Sequence, residues 1–245
     1  MNKYSRVDCL NTIPNRKVLD ALEDTIKSCS ECSQKKNVKL DTNLCLKCRA
    51  KNLAIVRYAE SNIPVLYWKL EMEPDFSGNK ILLEKYREIV VDLHKSYKSG
   101  VAMCFAGPHG VGKSMSCTNI LKRACERGFT CMYVNLGDIV HAMLNSDAED
   151  KAAARKELLT VDYLVIDEFD PRYMSNDKSS DLFGKILEEI FRTRSQNKLP
   201  IFLCTNSPNV AESFTGAIKQ SITSLLGTVK MIPVLGEDFR IKKVK

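Results

Sequence analysis

Gly107-Pro108-His109-Gly110-Val111-Gly112-Lys113-Ser114 is the stretch that decides the fold. It fits G-x-x-x-x-G-K-[ST], the loop whose backbone cradles phosphates. A strand-like run, Gly100 to Ala106, leads into it. A helix-like run leads out, with Cys117, Ile120, Leu121, Ala124 and Cys125 on one face and Gly128 as the stop. The motif needs this strand–loop–helix setting. Its glycines let successive N–H groups point at one centre, and the helix N-terminus adds orphan donors and the positive dipole end. The expected nucleotide-binding run is Gly107 through Met115. In it Lys113 reaches the β- and γ-phosphates and Ser114 ligates Mg²⁺.

Working outward, the next acidic signal is Val161 to Asp167, an apolar strand closed by Asp167-Glu168. This is a Walker B pattern. Asp167 is expected to hold Mg²⁺ and Glu168 to act as general base on the attacking water. Between the two motifs, Thr130–Asn135 reads as a strand, Asp138 as a helix cap, and 146–157 as a polar, Ala-rich helix or surface loop. After them come a helix at 181–194 ending in Arg192-Thr193-Arg194, and a strand, Leu199–Thr205, followed by Asn206. A helical region at 209–226 and a last strand at 228–235 complete the pattern. Upstream, Asn79–Tyr97 carries a helical stripe of Leu82, Tyr86, Ile89, Val90 and Leu93. A further helix is expected at 50–64, and 65–78 reads as an ordered linker that packs its aromatics on the body.

Near the N-terminus stands Cys29-Ser30-Glu31-Cys32, then twelve residues, then Cys45-Leu46-Lys47-Cys48. Two such knuckles supply four thiolates for tetrahedral Zn²⁺, and an all-cysteine site leaves no open position for chemistry. The expected metal ligands are therefore Cys29, Cys32, Cys45 and Cys48. Cys104, Cys117, Cys125, Cys131 and Cys204 fall in apolar segments and read as small buried hydrophobes. With 245 residues and 44% hydrophobic content, the chain has room for one large domain and one small one. The net charge of +7 suits contact with nucleic acid or an acidic protein. No apolar run is long enough to span a bilayer, and the N-terminus does not read as a signal peptide.

The order of these parts resembles the AAA+ ATPases of the DnaC/DnaI helicase-loader and IstB group, over roughly residues 62 to 242. The resemblance rests on Ile63-Pro64 and Phe76, GPHGVGKS, YLVIDEFD at 163–170, the FRTRSQNKLP segment before FLCTN, and GEDFR at 236–240. It implies an α/β fold with a five-stranded parallel sheet flanked by helices, ATP at the strands' C-terminal edge, and slow or partner-stimulated ATP hydrolysis. It implies that Asn206 is the sensor I residue and Arg240 the sensor II residue. It divides the chain into a zinc-binding, partner-docking domain at 1–61 and an ATPase domain at 62–245. The implied partners are a hexameric replicative helicase, single-stranded DNA and further copies of the chain when ATP is bound. The implied setting is the cytoplasm of a bacterium or of a phage-infected cell. The alternative within the group is a transposition regulator, like IstB or TnsC, assembled on duplex DNA. Ser221 stands where the group carries its trans-acting arginine, with Lys219, Arg192 and Arg194 as the nearby cations that could replace it.

Overall fold

The computed structural model describes residues 46–72, 79–170, 177–207, 209–210 and 227–239, with isolated positions at 219 and 223. Cys29, Cys32 and Cys45, Phe76, Ser221 and Arg240 lie outside these residues, as does nearly all of the helical region expected at 209–226. Cys48 falls within the first described helix.

The elements run α1 (Leu46–Glu60), α2 (Val65–Trp68), α3 (Lys80–Val90), α4 (Leu93–Ser99), β1 (Ala102–Ala106) and α5 (Lys113–Glu126). They continue with β2 (Cys131–Asn135), α6 (Leu136–Asn145), α7 (Ala148–Thr160), β3 (Tyr163–Asp167), α8 (Asp177–Gln196), β4 (Ile201–Thr205) and β5 (Lys230–Pro233). The strands form one five-stranded sheet in the order β2-β3-β4-β1-β5, with every pair parallel. Parallel strands need crossovers, and α5, α6 with α7, and α8 supply those from β1 to β2, β2 to β3 and β3 to β4, packing on both faces of the sheet.

Alternation along the strands sorts the core into two layers. Tyr163, Val165, Phe202, Cys204, Met103, Phe105 and Tyr133 pack on one side, where α5 and α3 contribute Leu121, Ile120, Leu82 and Ile89. Leu164, Ile166, Leu203, Cys104 and Val134 face the other side, with Ile139 of α6, Leu158 of α7 and Leu187 and Ile190 of α8. The five cysteines expected to be buried are all buried free thiols. Burial pushes the Cys104 thiol up to about 12, so it stays protonated and behaves as a small apolar side chain.

Several expectations about elements are corrected. The single helix expected over Asn79–Tyr97 is two. Asn79 caps α3 by accepting from Leu82 N, and Asp92 caps α4 by accepting from Lys95 N. A new N-cap restarts the helix because its side chain satisfies donors that the turn at Val91–Asp92 leaves open. Asp138 does not cap α6; it lies in the first turn, behind Asn135 at the N-cap. There it suits the dipole instead. The stretch 146–157, read as helix or surface loop, takes the helical alternative as α7, capped by Asp147, whose side chain accepts from Asp150 N. The α8 helix begins at Asp177, ahead of the expected 181.

The N-terminal part of the chain enters along the α5 face. Tyr58 and Ile63 share the core of that face, so the body's packing takes in residues from before position 62. Arg57 donates to Cys125 O at 2.8 Å, and the Tyr58 hydroxyl donates to Glu126. Lys122, fully buried, donates to Leu70 O at 2.7 Å and pairs with Glu71 at 2.9 Å; Glu71 also pairs with Arg123. A buried ammonium requires such partners. Ser61 O accepts from Tyr133 N at 2.8 Å, which pairs part of the otherwise open edge of β2.

Candidate nucleotide site

The site is assembled by strand order. β4 lies between β1 and β3, so the loop after β1, the end of β4 and the end of β3 stand side by side at the sheet's C-terminal edge. That edge is where open α/β sheets bind ligands. Parity then aims the side chains. Asp167 continues the series Tyr163, Val165, and Asn206 continues Phe202, Cys204, so both belong to the face covered by α5.

The Gly107–Ser114 loop has the backbone the motif requires. Gly110 and Gly112 lie at φ 76 and 95, in the left-handed region open to glycine. Gly112 is the N-cap of α5, so that helix starts at Lys113 and presents its first N–H groups to the loop's interior. Close approach sets a further constraint. A Cβ on Gly107 would stand 2.0 Å from Val234 O, and one on Gly110 would stand 1.9 Å from Asp238 Oδ1. The loop is thus clasped by the segment after β5, through Val234 N donating to Ala106 O at 2.7 Å and Phe239 N donating to Gly110 O at 3.0 Å.

Lys113 is buried, and its ammonium lies in the mouth of this loop. It donates to Gly107 O at 2.8 Å, Pro108 O at 2.7 Å and Asn206 Oδ1 at 2.9 Å. The expected pair Lys113 and Asn206 is therefore in direct contact. Asp167 is only 6% exposed, and each of its oxygens accepts one bond. Tyr133 Oη donates to Oδ2 at 2.6 Å and Glu168 N donates to Oδ1 at 2.7 Å. Burial, with the neighbouring carboxylate, holds the Tyr133 phenol far above its usual pKa, so it remains a donor. Glu168 is exposed, at φ 50, between Asp167 and the fully buried Phe169, whose N–H donates to Cys204 O at 2.8 Å. A left-handed glutamate carries about 1–3 kcal/mol of backbone strain, which the anchors on either side hold in place.

The donor chemistry fits the groups the motifs imply. The glycine cradle, closed to any Cβ, together with a buried ammonium, suits a polyphosphate. Asp167 and Ser114 offer hard oxygen ligands, which suit Mg²⁺. Among the described residues no group of three or more His, Cys, Asp or Glu side chains stands ready to hold a metal. Of the four cysteines expected to bind zinc, Cys29, Cys32 and Cys45 lie outside those residues.

Two results went beyond what the sequence indicated. Tyr133 enters the site through register: it pairs with Val165, which makes Asp167 its diagonal neighbour on the same face. Parity places Tyr133 and Asp167 on alternating series, but only the register brings the series together. The second is Arg194, one of the cations considered for a neighbouring subunit's nucleotide. It is fully buried and donates to Leu158 O at 3.0 Å, Asp162 O at 3.2 Å and Pro200 O at 2.7 Å. Those carbonyls lie near the end of α7 and just before β3 and β4, at the sheet edge opposite Asp167 and Asn206. Arg194 therefore pins the fold and does not reach outward. Arg192 is exposed and paired with Glu188 one turn before it.

The family of ATPases associated with various cellular activities (AAA) matches residues 103–222. No curated protein is matched by sequence. Among solved structures, the DnaC helicase loader is similar with a TM-score of 0.53 at 18% identity, over 70% of this chain and 100% of that one. DnaI is similar with a TM-score of 0.51 at 18% identity, over 70% of this chain and 88% of that one. The replication initiator DnaA, bound to AMPPCP and single-stranded DNA, is similar with a TM-score of 0.52 at 19% identity. That match covers 68% of this chain and spans only 49% of the DnaA chain. At such identities the likeness is one of fold. The chain carries an ATPase domain of the AAA family, built on a fold shared with DnaC, DnaI and DnaA.

Proposed function

We propose that the chain is an ATP-dependent loader that binds single-stranded DNA and delivers a hexameric replicative helicase, with the four-cysteine segment at 29–48 forming a zinc-bound module that docks the helicase. The observation that carries this is the Lys113–Asn206 contact inside a fold that covers the whole of a DnaC chain. A loader must respond differently to ATP and ADP, and a switch requires contacts that differ between its states. Lys113 joins the phosphate loop to Asn206 at the end of β4. An anion that draws the ammonium away from Asn206 frees that amide to report the γ-phosphate.

In this proposal Gly107 to Met115 bind the triphosphate. Ser114 and Asp167 hold Mg²⁺, which supplies charge neutralisation along the phosphates when bound. Glu168 takes the proton of the attacking water, and its exposed position at the end of β3 leaves room for that water. Arg240 acts as the second sensor from the tail. Turnover is slow or partner-stimulated, since an arginine finger is worth ~10³–10⁵ in rate and position 221 is a serine.

The test is a gel shift of single- against double-stranded DNA in ATP and in ADP, with Lys113→Ala beside the wild type. The expected result is ATP-dependent single-strand binding that the variant loses, with co-purification of a hexameric helicase. A preference for duplex DNA would replace the loader with the transposition-regulator alternative.

A further inference from the structure

We propose that Tyr133 is a positioning residue for the Asp167 carboxylate, and through it for the divalent cation that accompanies the nucleotide. The inference rests on the proposed assignment of Asp167 to that cation.

A buried tyrosine hydroxyl must find an acceptor somewhere, and a structural role alone would be met by any backbone carbonyl. Here the acceptor is Asp167 Oδ2, at 2.6 Å. Glu168 N takes Oδ1 at 2.7 Å. A carboxylate has about four lone-pair sites, so one remains on each oxygen. The two donors therefore fix the plane of the carboxylate without using up its capacity to ligate. Outer partners of this kind orient a metal ligand and are worth about 10–100-fold in metal affinity.

The phenol itself is held at both ends of its residue. Tyr133 N donates to Ser61 O at 2.8 Å, and the Tyr133–Val165 pairing fixes where the ring leaves the sheet. The ring lies within the α5-side core. Removing only the hydroxyl leaves that packing in place. The Asp167 carboxylate then keeps the Glu168 N–H and gains freedom to rotate.

The experiment compares wild type, Tyr133→Phe, Tyr133→Leu and Asp167→Ala as full-length protein. A fluorescent ATP analogue is titrated at a series of Mg²⁺ concentrations and in EDTA, Mn²⁺ binding in the presence of nucleotide is followed by electron paramagnetic resonance, and thermal melts are recorded. For Tyr133→Phe the half-saturating Mg²⁺ concentration should rise about tenfold, with nucleotide affinity in EDTA unchanged. Tyr133→Leu should show the same metal shift with a larger fall in melting temperature, since it also loses ring packing. Coincident Mg²⁺ and Mn²⁺ curves for wild type and Tyr133→Phe would overturn the role of Tyr133 while Asp167→Ala still shows the cation defect. A normal cation response in Asp167→Ala would overturn the assignment beneath it.

Discussion

Gly110→Ala tests the clasp between the phosphate loop and the tail, and Gly128→Ala is its internal control. Both glycines have positive φ, +76 and +90. An alanine Cβ at 128 would meet nothing within 4 Å, so Gly128→Ala isolates the backbone term of about 1–2 kcal/mol. At 110 the same methyl would stand 1.9 Å from Asp238 Oδ1 and 2.0 Å from Cγ, so the whole carboxylate must move. Moving it loosens the bond from Phe239 N to Gly110 O, worth about 1 kcal/mol more. The expected destabilisation is ~1–2 kcal/mol for Gly128→Ala and ~2–3 kcal/mol for Gly110→Ala. For a chain of this size each kcal/mol shifts the melting temperature by about 2–4 °C. Differential scanning fluorimetry reads the stability, and a fluorescent nucleotide titration reads the site. Nucleotide affinity should fall about tenfold or more in Gly110→Ala and stay unchanged in Gly128→Ala. Adding Asp238→Gly to Gly110→Ala should return the steric part, about 1 kcal/mol, and leave the φ strain. A Gly110→Ala melt shifted no further than that of Gly128→Ala, with unaltered nucleotide affinity, would refute the clasp.

Three further outcomes are expected. Glu168→Gln should bind ATP normally and lose about 10²–10⁴ in turnover, measured as phosphate release; undiminished turnover would remove Glu168 from the general-base role. Arg194→Met should lower stability by about 3 kcal/mol in urea, because three carbonyls lose their buried donor, while nucleotide affinity is retained. Loss of turnover with undiminished stability would instead return Arg194 to a neighbouring site. Protein prepared without chelators should carry about one zinc per chain by elemental analysis, and Cys32→Ser should lose it; a metal-free wild type that folds and acts normally would refute the knuckles.

What the sequence revealed, and what it hid, divides along locality. The phosphate loop and the Asp167–Glu168 strand end are patterns within about a dozen residues, and the expected residues stand together at one edge. The helix spanning Asn79–Tyr97 misled because its apolar stripe continues through the turn at Asp92, although that aspartate was itself a restart signal. The α7 helix carried little signal because only Ala154 and Leu158 on it are buried. Arg194 looked like any terminal cation, since a C-terminal arginine suits the dipole whether it faces water or a ring of carbonyls. Tyr133 was invisible because its role depends on how β2 slides against β3, and alternation alone does not determine that offset.

The entry path of the chain has a mechanical side. The leading segment arrives along α1 and touches the catalytic body at the back of α5, through Arg57 and Tyr58, and at the rim strand, through Ser61. The first handle is rooted in α5, the helix that begins with Lys113. The second abuts Tyr133, whose hydroxyl donates to Asp167. With Lys113 and Asp167 assigned as proposed to the nucleotide and its cation, a torque delivered through α1 would reach both at once, and a protein grasping that end would have leverage over turnover without approaching the nucleotide.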